Sequence, residues 1–161
     1  MEADSTSATF EKSNSIKTIA FGGLAAGVLD LTAAFINSSL QGVGPDRVLR
    51  AIAAGLLGAE SSKGGLATTT LGLFLHFFIA FGWTVIFYVA SRRIKFLTKQ
   101  PVISGVIYGI AVYLLMYFVV VPLSAFPFQM PLNFGSVAIN VLIHIFCVGL
   151  PIALIVRRFA K

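Results

Sequence analysis

The sequence predicts an all-α fold, an integral membrane four-helix bundle with a short interfacial or re-entrant helix between the first two spans. Hydrophobic residues make up 57% of the 161-residue chain and charged residues only 11%, whereas a soluble domain is about 45–50% apolar and about 25% charged. Four apolar stretches are each long enough for the roughly 20 residues that a membrane-spanning helix needs. Because a soluble fold cannot hide this much apolar surface from water, the composition excludes an ordinary soluble domain.

The predicted spans are four apolar segments, at about 16–39, 66–90, 101–121 and 134–156. The third begins at Pro101, which suits the first turn of a helix because its missing N–H is not needed there. Pro151 predicts a kink near the end of the fourth span. Residues 1–15 are polar and rich in Ser, Thr and Glu, so they predict a disordered cytoplasmic tail in front of a single transmembrane domain over 16–161.

The segment between the first two spans contains a predicted helix of its own, at about residues 45–58. Pro45 suits a first helical position, and Asp46 lies where a negative charge stabilises the helix N-terminus. Apolar residues follow at helical spacing, namely Val48, Leu49, Ile52 and Leu56. The helix is too short to span a bilayer, so it is expected to lie at the membrane interface or to re-enter the bundle.

Arg47 and Arg50 lie on the side of this outer helix opposite its apolar residues. Guanidinium groups match the geometry of phosphate, so the pair is a candidate site for an anionic lipid headgroup. The alternative is that the two arginines form the solvated face of an interfacial helix.

Lysine and arginine are distributed unequally between the two sides of the predicted bundle. Nine belong to the N-terminal segment, the loop between the second and third spans, and the C-terminus: Lys12, Lys17, Arg92, Arg93, Lys95, Lys99, Arg157, Arg158 and Lys161. The other side has only Arg47, Arg50 and Lys63. Because cytoplasmic loops carry the excess of positive charge, we expect a multi-pass protein of the cytoplasmic membrane with both termini in the cytoplasm. The same asymmetry accounts for the net charge of +6. Nucleic-acid binding is not indicated, because the sequence has no basic face with interleaved aromatic residues.

Three ionisable side chains interrupt the apolar spans: Asp30, His76 and His144. Counted from the cytoplasmic ends at about 1.5 Å per helical residue, these three and Tyr113 lie at a depth of roughly 18–22 Å. Ionisable groups inside a span are costly, and they usually face the bundle interior or a cavity. We therefore expect these residues to converge in the middle of the bundle.

Three interpretations of this cluster remain open. His76 and His144 could hold haem iron or a metal ion, although two histidines are too few for a closed zinc site without a further ligand. Asp30, both histidines and Tyr113 could form a proton relay or a coupling site in a small carrier. The side chains could instead be hydrogen-bonding partners that fix the register of the helices, with Asp30 paired to His76 or to a nearby threonine or asparagine.

The sequence also contains a faint internal repeat. A Gly-x-x-x-Gly pair occurs at 23–27 in the first span and at 105–109 in the third, and such pairs let helices approach closely. We expect these glycines to pack within the chain. The second and fourth spans carry similar histidine-containing segments, at 75–78 and 143–146. The two halves are therefore candidates for duplicated hairpins, with the outer helix inserted in the first half.

Four segments of the chain resemble a family of uncharacterised bacterial four-helix inner-membrane proteins: Ile52–Gly58, Leu71–Phe77, Val121–Ala125 and Val148–Leu154. The resemblance extends over nearly all of the chain after Ile16. It implies a bacterial cytoplasmic membrane protein with no assigned activity, and it implies no catalytic or binding residues.

Motifs of hydrolases and phosphate-binding enzymes, such as GxSxG, HExxH and the Walker loop, do not occur in the sequence. We therefore expect no enzyme and no catalytic residues. The expected function is a structural or partner-binding role, and the alternative is a small carrier, a proton relay, or a haem- or metal-binding protein centred on Asp30, His76 and His144. The expected partners are the lipid bilayer and either a second copy of the chain or another membrane protein.

Overall fold

The computed structural model describes residues 2–127 and 133–159, with side chains from residue 14 onward. Within these ranges the chain is helical and contains no strand. The helices are α1 (Glu2–Ser39), α2 (Pro45–Leu57), a 3₁₀ helix (Gly58–Lys63), α3 (Leu66–Arg93), α4 (Phe96–Lys99), α5 (Pro101–Leu115), α6 (Val121–Leu123), α7 (Phe134–Ile143) and α8 (Leu150–Phe159). A π-helical segment, Met116–Val120, joins α5 to α6, and a second one, His144–Gly149, joins α7 to α8.

Four helical stretches are long and apolar enough to cross a membrane. They are the first span (Asn14–Ser39), the second (Leu66–Arg93), the third (Pro101–Leu123) and the fourth (Phe134–Phe159). Between 17% and 33% of the residues in their most apolar windows are buried inside the bundle, so most of this apolar surface needs lipid to cover it. The predicted all-α class with four membrane-spanning helices is confirmed.

The N-terminal segment differs from the prediction. The polar composition predicts a disordered tail over 1–15, but α1 begins at Glu2 and continues without a break into the first span. A helix with a stable nucleus gains one hydrogen bond for each residue added, and the first span supplies such a nucleus. Other parts of the predicted tail and domain, namely Met1, residues 128–132 and the last two residues, lie outside the described ranges.

The spans pack in the order second, first, fourth, third. The second and third spans do not pack closely along their lengths. They meet at Tyr108, whose hydroxyl donates a hydrogen bond of 2.6 Å to the carbonyl oxygen of Trp83. This arrangement leaves a space between α3 and α5 on the side of Tyr108 that is remote from the termini.

One end of the bundle brings together the beginning of the first span and the ends of the second and fourth. The hydroxyl oxygens of Ser15 and Tyr88 lie 2.6 Å apart, and the rings of Phe21 and Phe159 stack with centroids 5.8 Å apart. Exposed positive charges surround this end: Lys17, Arg92, Arg93, Lys95, Lys99, Arg157 and Arg158. We call it the cationic end.

The opposite end is covered by α2, the outer helix that the sequence predicts. Gly72 of α3 lies so close to the carbonyl oxygen of Leu49 that an added Cβ would collide with the α2 backbone. The amide of Ala125 donates a hydrogen bond of 2.9 Å to the carbonyl oxygen of Gly55. These contacts hold α2 against both the second span and the chain that follows α6.

Each π-helical segment is followed closely by a proline, Pro122 in the third span and Pro151 in the fourth. Proline has no N–H, and its ring clashes with the carbonyl group four residues earlier. A wider π turn relieves this clash, and it accounts for the irregularity that Pro151 predicts in the fourth span. Such turns often occur at functional sites, and both of these face the space between the spans.

Candidate functional site

A cavity of about 610 Å³ lies between the spans, and we call it the central cavity. Three spans line it with residues spaced four apart, because positions i, i+4 and i+8 share one face of a helix. These residues are Ala26, Asp30 and Ala34 in the first span, Val112, Met116 and Val120 in the third, and Asn140, His144 and Val148 in the fourth. The second span and α2 complete the wall, so every helix that crosses the bundle contributes to the cavity.

Aromatic packing closes the central cavity toward the cationic end. Trp83 lines the cavity, and its ring contacts that of Tyr108 edge-on with centroids 6.4 Å apart. The Tyr108 ring also meets Phe87 at 4.8 Å, and Phe87 is buried in the core. At the opposite end, Ile52 of α2 and Phe126 line the cavity from above.

The cavity also opens sideways through the bundle. Leu56 of α2 and Phe78 of α3 both line it, yet they remain 62% and 66% exposed. The second and third spans are not closely packed here, so the opening lies between them. In a bilayer this side of the bundle faces acyl chains, so an apolar molecule can reach the cavity without first crossing water.

Asp30 is the residue of the cavity wall that carries a formal charge. Within the described part of the chain its carboxylate has no hydrogen bond and no ion pair. Two of the hydrogen-bonding partners considered from the sequence bond within their own helices: the Asn140 amide donates one N–H to the carbonyl of Ser136 at 2.8 Å, and Thr70 donates to the carbonyl of Leu66 at 2.9 Å. The carboxylate therefore faces the cavity with its acceptor oxygens unsatisfied by protein groups.

The two histidines line the cavity but bond differently. The Nε2 atom of His76 lies 2.9 Å from the carbonyl oxygen of Gly27 in the first span. The Nδ1 atom of His144 lies 2.8 Å from the carbonyl oxygen of Asn140 in its own helix. A carbonyl oxygen only accepts, so each of these nitrogens carries a hydrogen and donates it. The second nitrogen of each ring, Nδ1 of His76 and Nε2 of His144, makes no recorded hydrogen bond to a described residue.

Tyr113 contacts the cluster without lining the cavity. Its ring meets that of His144 with centroids 5.4 Å apart, and the residue is 7% exposed. Among the described side chains, no direct hydrogen bond joins Asp30, His76 and His144 to one another. A proton relay through these three residues would need water or a ligand between them.

The candidate metal ligands of the described residues do not cluster. The described residues contain no group of three or more His, Cys, Asp or Glu side chains that could hold a metal ion. Asp30, His76 and His144 share the wall of one cavity, but they do not form a three-ligand cluster.

The two arginines of α2 have different surroundings. Arg50 forms an ion pair with Asp46 and donates to the carbonyl oxygen of Gly64 at 3.2 Å. Its side chain is 25% exposed, and it ties α2 to the segment that leads into α3. Arg47 is exposed, and the structure records no partner for it in the described ranges. The pair therefore does not present two equivalent guanidinium groups.

Sequence reasoning missed several parts of the site. Trp83 and Phe126 gave no signal beyond their aromatic character, and the position of Val112 depends on the third span facing inward. Asn140 was considered from the sequence only as a hydrogen-bonding partner of Asp30, and its place on the cavity wall follows from its position four residues before His144 on the same helix face.

No family model, no curated protein and no solved structure matches this chain. The four spanning helices and the cavity between them define its class: it is a multi-pass membrane protein with a polar group of side chains inside the bundle.

Proposed function

We propose that the protein binds a small amphiphilic molecule in the central cavity, as a non-enzymatic protein of the cytoplasmic membrane with both termini in the cytoplasm. The observation that carries this proposal is the cavity itself, a space of about 610 Å³ with a mostly apolar wall and a few convergent polar groups. This combination is typical of small-molecule sites. The sideways opening past Leu56 and Phe78 supports entry of the ligand from the bilayer.

The orientation is supported by the cationic end. The exposed basic residues gather where the beginning of the first span meets the ends of the second and fourth. Positive charge favours the cytoplasmic side of a membrane. The non-enzymatic role is supported by the sequence, which has no hydrolytic or phosphate-binding motif.

Trp83 offers a direct test of ligand binding. It lines the cavity and is the single tryptophan of the sequence, so its fluorescence reports on occupancy. The probe is an alkyl alcohol that carries a nitroxide quencher, titrated into the protein in phosphatidylcholine vesicles. Saturable quenching is expected in the wild type. Ala34→Phe places a phenyl ring in the cavity, so it is expected to weaken the affinity for the probe about tenfold.

Ala20→Phe is the matched control, because Ala20 is exposed on the same span and does not line the cavity. It adds the same side chain outside the site and should leave the saturable quenching unchanged. Quenching that rises linearly with probe in the wild type and both variants would show only collisions within the bilayer, and the proposal would then fail.

A structural role is the second candidate, and one hydrogen bond supports it. The His76 ring donates to the carbonyl oxygen of Gly27 across the interface of the first two spans. Polar links of this kind stabilise helix pairs in bilayers by about 0.6 kcal/mol on average. This role accounts for His76, but it accounts for neither Asp30 nor the lone pair of His144.

The remaining proposals have less support. A proton relay through Asp30, His76, His144 and Tyr113 needs bridging molecules, and a haem or metal site through His76 and His144 lacks a third His, Cys, Asp or Glu ligand among the described residues. Binding of an anionic headgroup on α2 depends mainly on Arg47, because Arg50 is engaged with Asp46. Lipid is the expected partner of the exposed spans, and a second copy of the chain or another membrane protein is a further proposed partner.

A further inference from the structure

The charge of the central cavity has one sign. Asp30 lines it, and no lysine or arginine does so among the described residues. Residues 128–132, which lie outside the described ranges, include no basic residue in the sequence. An unpaired carboxylate inside a membrane-spanning bundle is costly unless it takes up a proton or acquires a partner of opposite charge. The cavity is therefore electrostatically suited to a cation.

The polar wall around Asp30 contains both acceptors and donors, since the Asn140 amide keeps a second N–H and the Trp83 indole carries one. The N–H groups of the His76 and His144 rings are both used by backbone carbonyls, which leaves one lone pair on each ring. The hydroxyl of Ser124 donates to Val121 at 2.7 Å and accepts from the Phe126 amide at 3.2 Å. A ligand that supplies hydrogen-bond donors therefore finds acceptors in this wall, and the Asp30 carboxylate is the charged one among them.

The apolar part of the wall fits the same kind of ligand. Phe78, Trp83 and Phe126 line the cavity, and the faces of aromatic rings attract organic cations. The rest of the wall is largely aliphatic, and the sideways opening faces acyl chains. An apolar body can therefore occupy the cavity while its charged group lies near the carboxylate.

We infer that the ligand of the central cavity is a small amphiphilic amine, bound as its ammonium ion through Asp30. This inference rests on the proposed ligand-binding function and names the chemical class of the ligand. The ammonium group donates hydrogen bonds to the Asp30 carboxylate, while the alkyl part of the amine lies against the apolar wall of the cavity. Charge-assisted hydrogen bonds of this type are stronger than neutral ones, so the amine binds more tightly than a neutral molecule of the same shape.

The experiment compares three probes that share one nitroxide-labelled alkyl chain and end in an ammonium, an alcohol or a carboxylate group. Each is titrated into the protein in phosphatidylcholine vesicles, and saturable quenching of Trp83 gives the Kd relative to membrane-bound probe. The expected preference of the wild type for the ammonium over the alcohol is about tenfold. The carboxylate should bind most weakly, because it meets the like charge of Asp30.

Asp30→Asn should abolish the preference for the ammonium while leaving the affinity for the alcohol within about twofold. Retained alcohol binding shows that the variant is folded and that its cavity is intact. Glu60→Gln is the matched control, since it removes an exposed carboxylate that lies outside the cavity, and it should keep the wild-type preference. Asp30→Glu, which keeps the carboxylate, should retain part of the preference for the ammonium that Asp30→Asn loses.

The outcomes separate the two proposals. Equal affinity for ammonium and alcohol in the wild type, or a preference that survives in Asp30→Asn, would overturn the amine inference while ligand binding stands. No saturable quenching by any probe would overturn both. A preference for the ammonium that depends on Asp30 would support both.

Discussion

The two helical hairpins share a Gly-x-x-x-Gly pattern, but the glycines contact a side chain in one hairpin and the helix backbone in the other. In the first, formed by the first and second spans, a Cβ added at Gly27 would meet the ring of Phe77 at 2.6 Å. In the second, formed by the third and fourth spans, a Cβ added at Gly109 would meet the carbonyl oxygen of His144, also at 2.6 Å. A side chain can rotate away from such a contact, whereas a helix backbone cannot. The second hairpin is therefore the more rigidly defined of the two.

The two histidines differ in whether their hydrogen bond joins two spans or stays within one helix. His76 links the hairpin partners of the first half, because its ring donates to the carbonyl of Gly27. His144 bonds within its own helix, and close backbone packing at Gly109 holds that helix pair together. Because the glycine contacts hold the third and fourth spans together, the His144 ring is not needed to link these two helices. We regard His144 as the better candidate for a ligand contact for this reason.

The largest expected effect is that of Gly109→Ala. The new methyl group would press on the backbone of the fourth span, and separating two packed helices should lower the free energy of unfolding by about 2–3 kcal/mol. Unfolding in mixed micelles with increasing dodecyl sulfate measures this change. Gly82→Ala is the control, because nothing lies within 4 Å of that position, and it should be neutral or up to about 1 kcal/mol more stable. Wild-type stability of Gly109→Ala would contradict the backbone contact.

Gly27→Ala should cost less, about 1 kcal/mol, because the Phe77 ring can give way. Its distinguishing property is rescue: adding Phe77→Leu should return most of the lost stability in the same unfolding assay. The equivalent trimming in the second half, His144→Ala added to Gly109→Ala, should rescue nothing, since the obstructing oxygen belongs to the backbone. Rescue in both halves, or in neither, would remove the distinction between the hairpins.

The smallest expected effect is a difference in stability between variants of the two histidines. Replacing each with phenylalanine keeps a ring of similar shape and removes its hydrogen bond. His76→Phe should destabilise the protein by about 0.6 kcal/mol, and by about 1.7 kcal/mol at most, because it breaks a link between spans. His144→Phe should change stability less, since its bond lies within one helix. Equal losses in the two variants would place both histidines in the same structural role.

Much of the fold could be predicted from local sequence. Apolar length located the four spans, and Pro45 with Asp46 located α2, because these signals act within one helix. The helical tail before Asn14 was not predicted from its own polar composition. It continues the helix of the first span, whose apolar residues lie further along the chain. The two Gly-x-x-x-Gly pairs were expected to pack within the chain, and the contacts of Gly27 and Gly109 confirm this.

The candidate site could be predicted only in part. Equal depth along the helices indicated that Asp30, His76 and His144 lie at one level, and the structure places them on the wall of one cavity. Their hydrogen bonds could not be foreseen. Whether His76 bonds to Asp30 or to the carbonyl of Gly27 depends on helix rotation and separation, and the glycine contacts between neighbouring spans set both.

The sequence by itself determined the class of protein, the number of spans and the side on which positive charge gathers, because composition and hydropathy act on each segment independently of its neighbours. Only the tertiary structure decided that the second and third spans stay apart, that the bundle encloses a cavity opening toward lipid, and that Asp30 faces this cavity without a hydrogen-bonding partner among the described residues. Without a hydrophobic driving force between helices in a bilayer, these features depend on side-chain and backbone packing between spans. Such packing depends on contacts between residues far apart in the chain.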